Sequence, residues 1–372
     1  MTGYWFPNLI LPNLIAAVLF LNWAPVYAES TDTSLIAEMG LEEGAALVRE
    51  MPGWVPPRKI VVLAENAARV ASFQAVAPGV NVVGVRGPRE AAAHMKDADA
   101  LVGMCSPQLL ADAPRLKWVQ SQLAGVDGCI DVPRVRSGEI LFTNMQRVNG
   151  SNVAEHAMAL ILALTRQINV AVVNQQSEEW SRRGFAPPQD LDGGTLLVVG
   201  LGGIGTEIAR RAHAFNMRVI ATRNSSRTGP DFVDYVGLAD ELPEMIAQAD
   251  VVVNATPLTP ATTDLFDSAL FKRMKSSAYF INIGRGGSVV TDDLVAALNT
   301  GTIAGAGLDV TAPEPLPANH PLWNARNIII TPHMAGSSRI KMDRMWIVMR
   351  ENVRRYVAGE KMLSVVDVEQ GY

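Results

Sequence analysis

Residues 196–205, LLVVGLGGIG, constrain this chain more than any other stretch. Leu196, Leu197, Val198 and Val199 form an apolar run whose length suits a buried parallel strand, and Gly200, Gly202 and Gly205 follow it in G-x-G-x-x-G spacing. The first glycine permits a tight turn, the second lets a pyrophosphate approach the backbone, and the third lets a following helix pack on the strand. The amides of Gly203 and Ile204 then face the phosphates at the positive end of the helix dipole. Glycine-rich turns also serve ordinary strand-to-helix connections, so the motif takes its meaning from its surroundings.

Those surroundings alternate strand and helix. From Lys59 onward, strands are expected at 60–64, 80–85, 100–104 and 116–120 with helical stretches between, which makes a small parallel α/β domain. A long helix from Asn152 to about Asn174 leads to the glycine motif. Beyond it, strands are expected at 218–221, 251–255, 279–283, 306–310 and 328–330. One intervening helix, 292–299, has Thr291 as its cap and Gly301 as its stop. The fold class is therefore α/β, with two Rossmann-like, doubly wound parallel sheets and a cleft between them. Residues 59–151 with 338–372 form the expected substrate domain, a closing helix at 339–357 crossing back to it, and 152–337 the cofactor domain.

The first 58 residues differ from this pattern. Residues 9–20 are apolar apart from Asn13, and Val26-Tyr27-Ala28 offers a small-residue cleavage site, so 1–28 resemble a secretory signal. No Lys or Arg precedes that run, and Pro7 and Pro12 interrupt it, which suits a plain apolar tail equally. Residues 29–58 are a connector, with an amphipathic helix expected through Leu41, Ala45 and Val48.

With 372 residues, 48% apolar and 19% charged, the chain is globular and large enough for two domains. Its net charge of -5, without a basic block, excludes nucleic acid as a partner. Cys105 and Cys129 sit in no C-x-x-C or zinc-ligand pattern, so buried, inert thiols and no metal are expected.

Ligands in doubly wound sheets bind at the carboxyl ends of the strands, and four unusual residues lie there. Arg285 follows Ile281-Asn282-Ile283-Gly284, Asp309 follows Gly307-Leu308, Glu314 comes five residues later between prolines, and His333 follows Thr331-Pro332. Gly284, Gly286 and Gly287 leave the backbone bare around a guanidinium able to grip a carboxylate with two parallel hydrogen bonds. A glutamate holding one nitrogen of His333 would favour the charged ring, making it a proton donor near neutral pH. Sequence does not show that the two meet. His94, His156, His213 and His320 have no such setting and read as structural or solvated.

Taken together, residues 200–205, INIGRGG at 281–287, GLDVTAPEPLP at 307–317 and TPHMAG at 331–336 resemble the D-isomer-specific 2-hydroxyacid dehydrogenases. QLAGVD at 122–127 and NVAEHAMALILAL at 152–164 extend the likeness from about Lys59 to the C-terminus. The resemblance implies a homodimer of two-lobed subunits, the long helix after Asn152 contributing to the interface. It implies that Arg285 holds the carboxylate of a small 2-oxo acid and polarises its carbonyl, that His333 is the acid/base, and that Glu314 is its partner. The amides of Leu123, Ala124 and Gly125 would help bind the carboxylate. Asp309 would face the nicotinamide carboxamide, while Pro257, Ile283 and Gly284 line the cofactor. The family often places an acidic residue after the second cofactor-domain strand, whereas this chain runs on as Ala221-Thr222-Arg223-Asn224-Ser225-Ser226-Arg227. Arg223 and Ser225, with Arg227 beside them, would grip a 2'-phosphate, so NADP(H) is the expected cofactor and NAD(H) the alternative. The competing readings are a nucleotide-sensing, corepressor-like scaffold and a phosphoglycerate dehydrogenase, which would usually carry an appended regulatory domain. Cofactor chemistry favours the cytoplasm; the N-terminal segment favours export.

Overall fold

Short apolar runs bounded by glycine and polar turns become strands buried on both faces, and here they assemble into two all-parallel sheets. The structure is a computed structural model that describes residues 32–182, 185 and 187–371. The signal-like segment 1–28 lies outside the described residues. The first sheet contains β1 (Lys59–Leu63), β2 (Asn81–Val85), β3 (Ala100–Val102), β4 (Trp118–Gln120) and β5 (Leu141–Thr143), in the order β2-β1-β3-β4-β5. The second contains β6 (Thr195–Val199), β7 (Arg218–Arg223), β8 (Tyr235–Leu238), β9 (Val251–Asn254), β10 (Tyr279–Asn282), β11 (Gly305–Leu308) and β12 (Ile328–Ile330). Its order is β12-β11-β10-β9-β6-β7-β8.

At the centre of the second sheet, β6 places Leu197 opposite Ile220 on one side and Val252 on the other. Leu196, Leu197 and Val198 are fully buried, each contributing about 1.5–3 kcal/mol. From β6 the chain runs outward through β7 to β8, then crosses back to β9 on the other side of β6, reversing the strand order there. This opens a crevice at its carboxyl end, where the glycine turn lies. The helix Gly150–Thr165 packs Ala154, Ala157 and Ile161 into the same core as Ile208 and Ala209 of the helix Gly203–Ala214.

The closing helix, Lys341–Ala358, returns to the first sheet and docks there by a buried amide. Asn352 Nδ2 donates to Gln120 Oε1 (2.7 Å) and to the Leu363 carbonyl (3.0 Å). Thr143 Oγ1 donates to the same Gln120 oxygen and accepts from the Trp118 indole. The network fixes the end of β4, from which residues 121–127 emerge.

Several local expectations are corrected. The single helix expected over 152–174 is two pieces, Gly150–Thr165 and Ile168–Gln176, bent by 70°. The Thr165 hydroxyl bonds back to the Ile161 carbonyl and Gln167 takes a left-handed conformation, so the helix stops there. Among the described residues no single helix is long and apolar enough to cross a membrane. Residues 41–47 are not helical; the helix lies earlier, at Asp32–Glu38, while Leu41, Val48, Met51 and Trp54 pack onto the first core. Thr291 caps nothing: it stands inside the helix Thr291–Thr300, and its hydroxyl donates to the Ala312 carbonyl. Cys105 and Cys129 are not free thiols but a disulfide, with Cα atoms 6.1 Å apart, because the turns after β3 and β4 meet in space.

Candidate functional site

The glycine turn is shaped by backbone against backbone. A side chain at Gly205 would place its Cβ 2.2 Å from the Gly200 carbonyl oxygen, while one at Gly202 would point into open space. The turn is tied to the end of β7 by bonds from the Gly200 amide to Thr222 Oγ1 (3.3 Å) and from the Leu201 amide to the Thr222 carbonyl (2.9 Å). Open space over Gly202, ahead of the first amides of a twelve-residue helix, fits the pyrophosphate of a dinucleotide.

Arg223 is the last residue of β7, and its Nε is buried without a hydrogen-bond partner. Leaving such a donor unpaired costs about 1–3 kcal/mol. Ser225 is exposed on the turn that follows. Arg227 is engaged elsewhere: its guanidinium pairs with Glu241 (2.7 Å) and donates to the Tyr235 hydroxyl (3.0 Å).

Beside the glycine turn, β9 and β10 end in buried asparagines. Asn254 Nδ2 donates to Asn282 Oδ1 (3.0 Å) and Ser288 Oγ (2.7 Å), and its own Oδ1 accepts from the Thr256 amide and hydroxyl. Asn282 Oδ1 accepts from the Gly284 amide and its Nδ2 donates to the Arg285 carbonyl. These bonds hold the turns carrying Pro257, Ile283, Gly284 and Arg285. Sequence reading passed over Asn254 and Ser288, although a polar residue closing the apolar run Val251-Val252-Val253 was a visible signal.

Arg285 reaches from the second sheet to the turn after β4. Its Nε and Nη2 donate to Asp127 Oδ2 (3.3 and 3.1 Å), and its Nη1 donates to the Gly284 carbonyl (2.9 Å). Of the three turn amides expected to meet a carboxylate, that of Leu123 is committed to Ser121 Oγ (3.0 Å). The amides of Ala124 and Gly125 make no such bond among the described residues.

His333 follows β12, two strands along from the origin of Arg285 and so about 10 Å away at the strand ends. Its Nδ1 lies 2.5 Å from Glu314 Oε1, the pairing that spacing alone left open. Its backbone is left-handed (φ 50°) and its amide donates to the Asp309 carbonyl (2.8 Å). Asp309 itself is 2% exposed: its carboxylate accepts from the Thr331 hydroxyl and the amides of Met334 and Ala335. It thereby grips the segment that presents the imidazole. His156 lies against this cluster, with Nε2 2.9 Å from Thr331 Oγ1, in the structural setting expected of it.

A glycine cradle at one end of a crevice, with a guanidinium beyond β10 and an imidazole–carboxylate pair beyond β12 and β11, is the arrangement expected of a nucleotide-dependent oxidoreductase of the two-lobed class. The family model "D-isomer specific 2-hydroxyacid dehydrogenase, NAD binding domain" matches residues 158–335. Glyoxylate reductase of Pyrococcus furiosus is 36% identical over 288 residues, 74% of this chain and 84% of that protein. D-3-phosphoglycerate dehydrogenase of Mycobacterium tuberculosis is 32% identical over 320 residues, but the match covers only 59% of it. Among solved structures, a D-isomer-specific 2-hydroxyacid dehydrogenase family protein of Aeromonas salmonicida superposes with a TM-score of 0.72 at 32% identity, covering 84% of this chain and 99% of that one. An NADPH-dependent glyoxylate/hydroxypyruvate reductase of Sinorhizobium meliloti, in complex with NADP and sulfate, gives 0.71 at 29%, with 84% and 99% covered. The chain belongs to the D-isomer-specific 2-hydroxyacid dehydrogenase family. Its reaction moves a hydride between a nicotinamide dinucleotide and a 2-oxo acid.

Proposed function

We propose that this protein reduces a small 2-oxo acid of the glyoxylate or hydroxypyruvate type, with NADPH preferred over NADH, and works as a homodimer. Residues 152–337 hold the cofactor, and 59–151 with 338–372 close over the substrate. The observation that carries the reading is the His333–Glu314 pair at the same sheet margin that sends Arg285 across to the first lobe.

When bound, the nicotinamide supplies the hydride to C2 of the oxo acid. Arg285 and the amides of Ala124 and Gly125 hold the substrate carboxylate, and the guanidinium stabilises the negative charge that builds on the carbonyl oxygen. Glu314 holds Nδ1 of His333, which leaves Nε2 to deliver the proton that completes the hydroxyl. Asp309 keeps the imidazole in place through the backbone of 331–335. Pro257, Ile283 and Gly284 border the ring's side of the crevice.

Support for NADPH comes from the buried, unpaired Nε of Arg223 and from the lack of any carboxylate between Arg223 and Thr228. Support for a dimer comes from the helix Ile168–Gln176, which buries no residue and exposes Ile168, Val172 and Val173. A panel of 2-oxo acids assayed with each nicotinamide tests the activity. The expected result is turnover of glyoxylate or hydroxypyruvate with higher kcat/KM for NADPH. Binding of NADPH without turnover of any oxo acid would favour a nucleotide-sensing scaffold instead.

A further inference from the structure

The turn after β4 contributes one charged side chain that no role above requires, Asp127. Its carboxylate occupies one edge of the Arg285 guanidinium, accepting from Nε and Nη2 through a single oxygen. Arginine has five N–H donors. Asp127 takes two and the Gly284 carbonyl takes one, leaving two, one on Nη1 and one on Nη2. Those two make a fork matched to a carboxylate.

The arrangement is built rather than incidental. A Cβ at Gly125 would lie 2.1 Å from Arg285 Nη2 and 2.8 Å from Asp127 Oδ2, so the guanidinium rests on bare backbone. The turn is braced on both sides of the pair. The Met145 amide bonds the Leu123 carbonyl, Asn144 Nδ2 bonds the Ala124 carbonyl, and Cys129 is tied to Cys105 two residues beyond Asp127. The ion pair is half exposed, so it contributes little to stability.

We infer that Asp127 is a positioning residue: it locks the plane of Arg285 from the far lobe, presents the remaining fork to the substrate carboxylate, and weakens anion binding by its own charge. The inference rests on the proposed reading of Arg285 as the carboxylate anchor. In steady-state kinetics with glyoxylate and NADPH, Asp127→Asn should lower kcat about tenfold or more, through misalignment of the fork. In calorimetric titration of the NADPH complex with oxalate, the same variant should bind at least about threefold tighter, because a negative charge near the site is gone. Its Tm should shift by no more than about 3 °C. Removal of charge alone would tighten oxalate binding with kcat unchanged, and damage to the fold alone would lower Tm without tightening it, so the positioning role predicts the two effects together at an unchanged Tm. The inference is overturned if kcat is unchanged or if oxalate binding is unchanged or weaker. Failure of the unmodified protein to reduce any oxo acid defeats the dehydrogenase reading, whereas the oxalate titration still reads the pair without turnover. If oxalate binds neither the unmodified protein nor the variant, the inference falls too.

Discussion

Replacing Arg223 by methionine tests the cofactor assignment from two directions. The substitution keeps an unbranched stem and removes the guanidinium, so packing at the end of β7 is preserved while the charge is lost. Without cofactor, the buried Nε is a donor lacking a partner, a cost of about 1–3 kcal/mol that the variant no longer bears. The free protein should therefore be no less stable than the original, its Tm unchanged or raised. With NADPH, the variant loses a charge-assisted hydrogen bond to the 2'-phosphate worth about 1.5–3 kcal/mol, or about 10- to 150-fold in Kd. NADH lacks that phosphate, and its Kd should change by less than about twofold. Cofactor fluorescence titrations on both proteins, with a thermal melt of each free form, supply the four quantities. An unchanged NADPH Kd, or an equal loss for both nicotinamides, would refute the assignment of Arg223 to the 2'-phosphate.

Three further outcomes are expected. His333→Asn should reduce kcat by about a hundredfold or more with NADPH binding nearly intact; near-normal turnover would reject the acid/base role. Arg285→Lys keeps the charge but not the planar fork, so KM for the oxo acid should rise and kcat fall, and unchanged kinetics across an oxo-acid panel would count against carboxylate recognition there. Burial opposes the charge on Glu351, yet hydrogen bonds from Arg354 and Arg355 outweigh it and hold the carboxyl below its ordinary range. A depressed carboxyl contributes stability above its unfolded pKa of about 4.3 and loses that contribution as pH falls through the folded value. The urea midpoint of Glu351→Gln should therefore lie below that of the original at pH 7, and the gap should narrow as the pH falls below the unfolded pKa; a gap independent of pH would contradict the linkage.

Much of the architecture was legible because one period dominates the chain. Apolar runs such as Leu196–Val199 and Val251–Val253 are too short for helices and are buried on both faces, so their spacing reveals parallel strands. β5 and β8 escaped notice for different reasons. β5 is a three-residue edge strand whose short run Ile140-Leu141-Phe142 gives way at once to Thr143 and Asn144, and β8 is an edge strand in which only Val236 and Gly237 are buried. The helix break at Gln167 was hidden because neither Arg166 nor Gln167 is a recognised breaker; the stop depends on a left-handed backbone supported by tertiary contacts. At the site, Arg285, Glu314 and His333 stood out through their place at strand ends. Contacts between remote segments did not: the Cys105–Cys129 bond and the Asn254–Asn282–Ser288 network exist only once each sheet has brought its strand ends together, and the approach of Asp127 to Arg285 across 158 positions only once the lobes meet.

Transfer of label reads the central claim most directly. The purified protein would be given hydroxypyruvate and NADPH deuterated at C4 of the nicotinamide on the transferring face, and the product examined for position and configuration of the deuterium. The expected product is D-glycerate labelled at C2, with one equivalent of NADPH oxidised per molecule formed. Oxidation of NADPH without label at C2, an L-configured product, or no oxidation with any 2-oxo acid would contradict it.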